Sequence, residues 1–228
     1  MSQYPIIALW SHPRSMSTAF ERIMRSRGDI ACLHEPFMYD YYVHRSKKVM
    51  PHFEVQPEHP VSYAEIRALI LKKAEAGPVF FKDMSYYVMP HLMEDDEFAR
   101  AITHSFLIRD PMASIVSYAK LDPGVSLDEI GLEAQAHHVA ALQARGIAVT
   151  VVQSEKVQND PAGQMRAYWA AVGLPDRPQA LTFADDVPQD WQQVSGWHKD
   201  VMASKSILPW TEADIAKTRK QFSELVAR

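Results

Sequence analysis

The strongest constraint on the fold is a continuous apolar run, Pro5 to Trp10, that is followed directly by a short polar turn. A run without polar alternation is typical of a strand buried on both faces, as in a parallel sheet. From Met16 the apolar residues recur at helical spacing as far as Met24, and Gly28 is predicted to end that helix. The segment is therefore predicted to form a buried strand, a turn and an amphipathic helix.

The alternation of strands and helices continues along the chain and predicts an α/β fold with a central parallel sheet flanked by helices. Further strands are predicted at 79–81, 105–108 and 147–153, and helices at 63–76, 111–121, 127–145 and 155–172. The 228 residues, 1–228, suit one domain with a sizeable core. Two parts lack strand signals: an irregular loop near 44–60, and a mainly helical segment, 176–228, whose last helix begins near Thr211.

Composition excludes several classes of protein. With one Cys, the chain has neither a disulfide framework nor a multi-cysteine metal site. Its apolar runs are too short to span a membrane, and its first ten residues lack the features of a secretory signal, so we expect a cytoplasmic protein with no membrane partner. The net charge of −4 argues against nucleic-acid binding.

The charge is unevenly distributed. Residues 1–50 carry a net charge of +3, and the remaining 178 residues carry a net charge of −7. A basic segment in an acidic protein fits a focused anion site, although an imbalance of this size is also common by chance. The ten His residues are scattered, no metal-binding motif is present, and the pair His137–His138 is predicted to lie on a helix surface.

The turn at 11–18 has the chemistry of a phosphate cradle. A loop between a buried strand and a helix presents backbone N–H groups and the positive helix end to an anion. Arg14 adds a cation, and Ser15, Ser17 and Thr18 add hydroxyl donors. The G-x-x-x-x-G-K-[ST] pattern of a Walker A loop is absent. The alternative is an ordinary Ser/Thr helix cap beside a solvated Arg.

A second strand–helix junction contains Arg109, Asp110 and Pro111. Asp110 suits a helix N-cap and Pro111 suits the first helical position. Arg109 is thereby placed at the carboxyl end of a strand, where open α/β sheets bind ligands. Ser117 follows two turns into the helix, and the two side chains are predicted to share one phosphate. The alternatives are an ion pair for Arg109 and a Ser117 hydroxyl bonded within its own helix.

Together these segments resemble the sulfotransferase superfamily, whose members use 3′-phosphoadenosine 5′-phosphosulfate (PAPS). The stretch PRSMST at 13–18 is similar to the family's P-K-S-G-T-T motif, with Arg14 in the Lys place. Arg109 and Ser117 keep the eight-residue spacing of the family's second motif. A third match begins at QSEKV, residues 153–157, and ends at the Gly-Leu-Pro of 173–175. Three matches in the family's order are far more specific than any one motif.

The resemblance implies a sulfotransferase architecture related to P-loop NTPases, with PAPS as co-substrate, 3′-phosphoadenosine 5′-phosphate (PAP) as product and no metal. It implies that the 5′-phosphosulfate is held by Arg14, Ser15, Met16, Ser17 and Thr18. It implies that the 3′-phosphate is held by Arg109 and Ser117. Three residues of the C-terminal segment lie where family members close a loop over the nucleotide: Trp197, Lys199 and Lys205.

The chain departs from the family pattern at two places that affect the chemistry. Met16 replaces the Gly of the cradle, and a left-handed backbone there costs Met about 1–2 kcal/mol. Many members carry a catalytic His in K-T-H after the third strand, but the stretch here is KDM at 82–84. Another branch uses a Glu shortly after the first helix, often before Pro, and Glu35 occupies such a place.

Glu35 is accordingly predicted to be the general base. Arg14 is expected to stabilise the leaving group, and Lys82 to contact the sulfuryl group or the acceptor. The proline that follows Glu35 favours an extended backbone, in which His34 and Glu35 face opposite ways. His34 and Asp83 are the competing bases. The alternative for Glu35 is a structural role, as a cap or in an ion pair with Arg14 or a neighbouring Arg. The alternative for Lys82 is an exposed lysine at a strand end.

The acceptor is predicted only by class, as a hydroxyl or amine of a small molecule or carbohydrate. Several aromatic residues are candidates for an acceptor pocket, with ordinary packing as the alternative for each: His34, Tyr39, Tyr41, Tyr42, Tyr86, Tyr87 and His91. A homodimer is left open. The competing functions are a kinase of a nucleoside or small metabolite, whose Walker signature is absent here, and a non-catalytic nucleotide-binding relative.

Overall fold

The computed structural model describes residues 4–49, 53–183, 188, 190–191 and 204–227. Five parallel strands form one sheet in the order β2-β3-β1-β4-β5. They are β1 (Ile6–Ser11), β2 (Ala31–His34), β3 (Val79–Met84), β4 (Ile102–Ile108) and β5 (Val149–Gln153). The predicted α/β fold with a parallel sheet is confirmed.

Helices connect the strands and flank the sheet. They are α1 (Ser17–Ser26), α2 (Tyr63–Lys73), α3 (Ser85–Val88), α4 (His91–Glu94), α5 (Asp96–Ala101), α6 (Pro111–Ala119), α7 (Leu127–Ile130), α8 (Leu132–Ala144), α9 (Ser154–Asn159), α10 (Pro161–Ala171) and α11 (Glu212–Val226). A π-helical turn at Asp40–His44 and a 3₁₀ turn at Pro178–Leu181 complete the described elements. None of these described helices is both long and apolar enough to cross a membrane.

The central strand β1 is buried on both faces, which explains its uninterrupted apolar sequence. Ile6, Ala8 and Trp10 pack into one core cluster, whereas Ile7 and Leu9 pack into the other. This alternation follows from the two-residue period of a strand. Strand order reverses at β1, which pairs with β3 on one side and with β4 on the other. In open α/β sheets such a reversal opens a ligand crevice at the carboxyl ends of the strands.

Local breaks account for most differences from the predicted elements. The predicted helix 127–145 is two helices, because Gly131 takes a left-handed conformation between them. The predicted helix 155–172 is interrupted where Asp160 caps a new helix that begins at Pro161. Strand β2 was not predicted, since four residues carry too little periodic signal. His138 is fully buried beside Trp10, so the prediction of a surface His pair is wrong for that residue.

Candidate functional site

The loop at 12–16 joins β1 to α1, and two of its carbonyl groups accept hydrogen bonds from side chains of other elements. The Arg14 carbonyl accepts a hydrogen bond from Arg109 Nη1 at 2.7 Å, and the Ser15 carbonyl accepts one from Ser154 Oγ at 2.6 Å. No side chain caps α1 at Met16. The first N–H groups of this ten-residue helix therefore keep the positive electrostatic character that attracts an anion.

Two residues of this loop adopt a backbone conformation that side chains with a Cβ rarely take. Arg14 has φ 63° and Met16 has φ 74°. The left-handed conformation is therefore present at the position where the family motif has Gly. Unfavourable backbone conformations persist where the surrounding structure holds them, and they cluster at functional sites.

Replacing Met16 by Gly is expected to give a more stable fold than replacing it by Ala, since both variants lose the packing of this side chain against the core. Relief of about 1–2 kcal/mol of left-handed strain outweighs the extra chain entropy of Gly, about 0.5–1 kcal/mol. Relative to Met16→Ala, the net gain of roughly 1 kcal/mol should raise the melting temperature by about 2–4 °C in a chain of this size. Met16→Ala is the control, because it removes the side chain and keeps the strain. Equal melting temperatures for the two variants would show that the left-handed backbone at residue 16 is not strained.

Arg14, Ser117 and Arg109, which come from the two predicted junctions, are joined by hydrogen bonds beside the loop. Arg14 Nε donates to Ser117 Oγ at 3.0 Å, so this hydroxyl is not bonded only within its own helix. Arg109 donates to the Arg14 carbonyl and does not pair with Asp110, which instead caps α6 by accepting from Met112 and Ala113. The structure thus joins the two predicted phosphate sites.

Two buried polar atoms at this place have no hydrogen-bond partner among the described residues. They are the Ser15 hydroxyl and Arg109 Nε. Burial also lowers the pKa of Arg109, with Glu155 and Asp110 opposing the shift. Unpaired buried donors are unfavourable, and an anionic ligand would satisfy both.

A buried ion pair lies at the neighbouring strand ends. Lys82 is completely buried near the end of β3, and its Nζ contacts Glu35 Oε1 and, at 3.4 Å, Thr18 Oγ1. The alternative of an exposed strand-end lysine is therefore wrong. Through Thr18 at the start of α1, the pair is connected to the cradle. Glu35 does form an ion pair, and among the described residues its partner is Lys82 and not Arg14 or another Arg.

The backbone at Glu35 is not extended, contrary to the prediction, because its φ is 44°. The turn is held by Asp83, whose two oxygens accept from the Phe37 N–H at 2.8 Å and the Met84 N–H at 3.2 Å. Burial raises the pKa of Asp83 well above its usual range, and Glu35 adds to the shift. Both oxygens of Asp83 are thus engaged with the backbone, so we assign this residue to shaping the turn around Glu35.

His34 lies in a buried network centred on Glu21, next to the Lys82–Glu35 pair. Its Nδ1 is 2.6 Å from Glu21 Oε2, while its Nε2 is 3.9 Å from Glu35 Oε1. Glu21 also accepts from Arg25 at 2.7 Å and from Trp191 at 2.9 Å. Burial, together with the charge of Lys82, lowers the pKa of His34 to about 3. His34 is therefore neutral at physiological pH.

Four tyrosines form a cluster near Glu35. The rings of Tyr41, Tyr42, Tyr86 and Tyr87 contact one another with centroids 4.7–5.4 Å apart. Tyr86 packs on Gly131, where an added Cβ would come within 3.0 Å of its ring and 3.4 Å of Pro13. The other aromatic candidates have different partners: His34 with Glu21, Tyr39 with His59, and His91 with Tyr63.

The C-terminal candidates are only partly covered by the structure. Trp197 and Lys199 lie outside the described residues. Lys205 is exposed, and its carbonyl accepts from the Phe183 N–H at 3.0 Å. Sequence reasoning missed Trp210, whose ring lies 5.2 Å from the Arg109 guanidinium. Its only sequence signal is an aromatic residue just ahead of the last helix.

Metal ligands are not grouped in the part of the chain that the structure describes. No three His, Cys, Asp or Glu side chains lie together there as a metal site would require. The charged groups that converge on the crevice are instead Arg14, Arg109 and the Lys82–Glu35 pair.

Comparisons with known proteins agree with this fold. The sulfotransferase domain from the Synechococcus PCC 7002 olefin synthase superposes with a TM-score of 0.65 and 18% identity, covering 99% of this chain and 94% of that one. The sulfotransferase domain from the curacin biosynthetic pathway gives a TM-score of 0.59 at 12% identity, covering 98% and 99%. A mouse sulfotransferase complexed with PAP gives 0.50 at 11% identity, covering 98% and 85%. The predicted sulfotransferase architecture is confirmed.

Sequence comparison identifies the family. Branched-chain-amino-acid aminotransferase-like protein 2 of Arabidopsis thaliana is 25% identical over 206 residues, or 87% of this chain and 35% of that protein. Protein 1 of the same name is 24% identical over 219 residues, or 90% and 37%. The chain thus spans about a third of the length of these relatives. The family model described as a sulfotransferase domain matches residues 5–213, and on that match the chain belongs to the sulfotransferase domain family.

Proposed function

We propose that the protein transfers a sulfuryl group from PAPS to a hydroxyl or amine of a small-molecule or carbohydrate acceptor. The observation that carries this proposal is the hydrogen-bonded group of Arg14, Arg109 and Ser117 beside the loop that joins β1 to the start of α1. Such a site favours a ligand with two anionic groups. A sulfotransferase of the same fold was solved with PAP, which supports this donor.

The donor fits the unpaired atoms of the site. The 5′-phosphosulfate is assigned to the cradle residues: Arg14, Ser15, Met16, Ser17 and Thr18. The 3′-phosphate is assigned to Arg109 and Ser117. Phosphate oxygens would accept from the buried Ser15 hydroxyl and from Arg109 Nε, the two donors that otherwise lack partners among the described residues.

Sulfuryl transfer needs no reactant besides the donor and the acceptor. The acceptor oxygen or nitrogen attacks sulfur, its proton passes to Glu35, and the bond from sulfur to the bridging oxygen breaks. The electron pair of that bond stays on the 5′-phosphate of PAP. Arg14 and the N–H groups of the loop stabilise the negative charge that develops there.

Glu35 is the base that the geometry favours. Its contacts with Lys82 and His34 both use Oε1, and we assign the acceptor proton to Oε2. Lys82 holds the carboxylate beside the cradle through Thr18. The competing bases are engaged elsewhere, His34 with Glu21 and Asp83 with two backbone N–H groups. We assign the tyrosine cluster to one wall of the acceptor pocket.

Turnover of labelled PAPS over a library of alcohols, phenols, amines and sugars tests the proposal. A sulfated product is expected with at least one acceptor class. Thermal shift with PAP against ATP and Mg²⁺ separates the alternatives. Stabilisation by ATP and Mg²⁺ alone would favour a kinase, and stabilisation by PAP with no transfer to any acceptor would favour a non-catalytic relative.

Arg109→Ala is expected to weaken PAP binding by about 1.5–3 kcal/mol, the range for hydrogen bonds to a charged group. Affinity for adenosine 5′-phosphate, which lacks the 3′-phosphate, should barely change. Isothermal titration of both nucleotides measures the difference. Equal losses for the two nucleotides would show that Arg109 acts only through its bond to the Arg14 carbonyl.

A further inference from the structure

The amide of Gln135 bridges β1 and β4 at the point where these strands separate. Their ladder ends at the pair Trp10 and Phe106, although each strand continues with its other neighbour. Gln135 Nε2 donates to the carbonyl of Trp10 at 3.2 Å and to that of Leu107 at 2.9 Å. One side chain of α8 therefore closes the base of the crevice between these two strands.

The same amide fixes His12, the first residue of the cradle loop. Because Nε2 of Gln135 donates to both carbonyls, Oε1 is the atom that faces His12 Nδ1 at 2.9 Å. An amide oxygen only accepts, so Nδ1 carries the ring proton. His12 Nε2 is then the acceptor for Ser114 Oγ at 2.9 Å. Burial lowers the pKa of His12 to about 4, which keeps the ring neutral.

The order Ser114, His12, Gln135 resembles a nucleophile, a base and an orienting group, but an amide in the third place provides no negative charge to make the imidazole a stronger base. All three residues lie in the interior, with exposed fractions of 1%, 0% and 3%, and the amide oxygen holds His12 Nδ1. The three side chains therefore fit a structural link better than a catalytic group.

We propose that Gln135 is a positioning residue for sulfuryl transfer. Through His12 it holds the donor loop at a fixed position relative to the ends of β1 and β4. The proposal rests on the proposed function, because it assigns the loop to the donor. Any shift of the loop would leave buried donors or acceptors of this network unpaired, which is unfavourable. Rates of positioned reactions are sensitive to small displacements, and 1 Å can cost about 10²-fold.

Two substitutions of His12 separate the link to Gln135 from ordinary packing. His12→Asn places an amide near Nδ1 and keeps the bond to Gln135, whereas His12→Gln reaches the place of Nε2 and keeps only the bond to Ser114. We expect kcat of His12→Asn to stay within about 3-fold of wild type, and kcat of His12→Gln to fall at least 10-fold with little change in the KM for PAPS. Melting temperatures of both variants serve as the control for stability.

Gln135→Met provides the second test. It should lower kcat as His12→Gln does. The double variant Gln135→Met/His12→Gln should lose little more kcat, because both substitutions remove the same link between Gln135 and His12. Nitrogen-15 NMR of the His12 ring should show a protonated Nδ1 in wild type and a mixture of tautomers in Gln135→Met. Equal kcat for His12→Asn and His12→Gln in an active protein would overturn the positioning role. Wild-type protein that neither binds PAP nor transfers sulfuryl would instead contradict the proposed function.

Discussion

Glu35→Gln is expected to lower the rate of sulfuryl transfer at least 10²-fold while PAP affinity is kept, because general-base catalysis contributes about 10²–10⁴-fold. Gln has nearly the same shape but accepts no proton from the acceptor. The variant also leaves the buried Lys82 charge unpaired, a loss of about 3–5 kcal/mol in stability. The rate must therefore be measured well below the melting temperature, by single turnover with labelled PAPS.

Lys82→Met is the matched control, since it breaks the same ion pair and keeps the carboxyl group. Lys82→Met should keep more of the transfer rate than Glu35→Gln, because its carboxyl group can still accept the acceptor proton. If His34→Ala or Asp83→Asn abolishes transfer while Glu35→Gln remains active, the assignment of the base is wrong.

Arg14→Ala is expected to reduce kcat by about 10²–10³-fold, the usual effect of removing one preorganised donor from a site of developing charge. PAP binding should weaken much less, because the positive charge is most effective while the bridging oxygen gains electrons. Pre-steady-state transfer rates and PAP titration measure the two effects separately.

Arg14→Lys is the informative control for this residue. Lys is the family's usual residue at that place, so this variant should retain much of the activity. The Lys variant preserves the charge but lacks the planar guanidinium that donates through Nε to Ser117. Normal kcat in Arg14→Ala would show that the side chain serves only to hold the loop.

The fold was predictable because its strongest signals are local. The apolar run of β1, the turn and the helical spacing after it need no information from elsewhere in the chain. The same holds for the α6 junction, where Asp110 caps the helix and Pro111 begins it, as its sequence predicts. Alternating strands and helices then leave few topologies other than a parallel sheet.

The candidate site was only partly predictable, since its geometry depends on distant residues. The rule for a residue before proline fails at Glu35, because Asp83 on another strand holds the turn in a different conformation. For Lys82 the residue type left open an exposed strand-end lysine beside a role at the sulfuryl group, yet Glu35 satisfies its charge in the interior. Gln135 has no local signal at all, since its partners lie at the end of β1 and at the end of β4, both far from it in the sequence.

The position of β1 has a consequence for how the chain acquires its structure during synthesis. This mainly apolar strand is synthesised before β3 and β4, so Ile6 stays unpaired until its partners Val79 and Ile102 have been made. Until then its apolar side chains and backbone hydrogen-bonding groups are exposed, and the segment can associate with other nascent chains. Folding is expected to be slow, because its central contacts are long-range, and a chaperone that shields β1 should raise the yield.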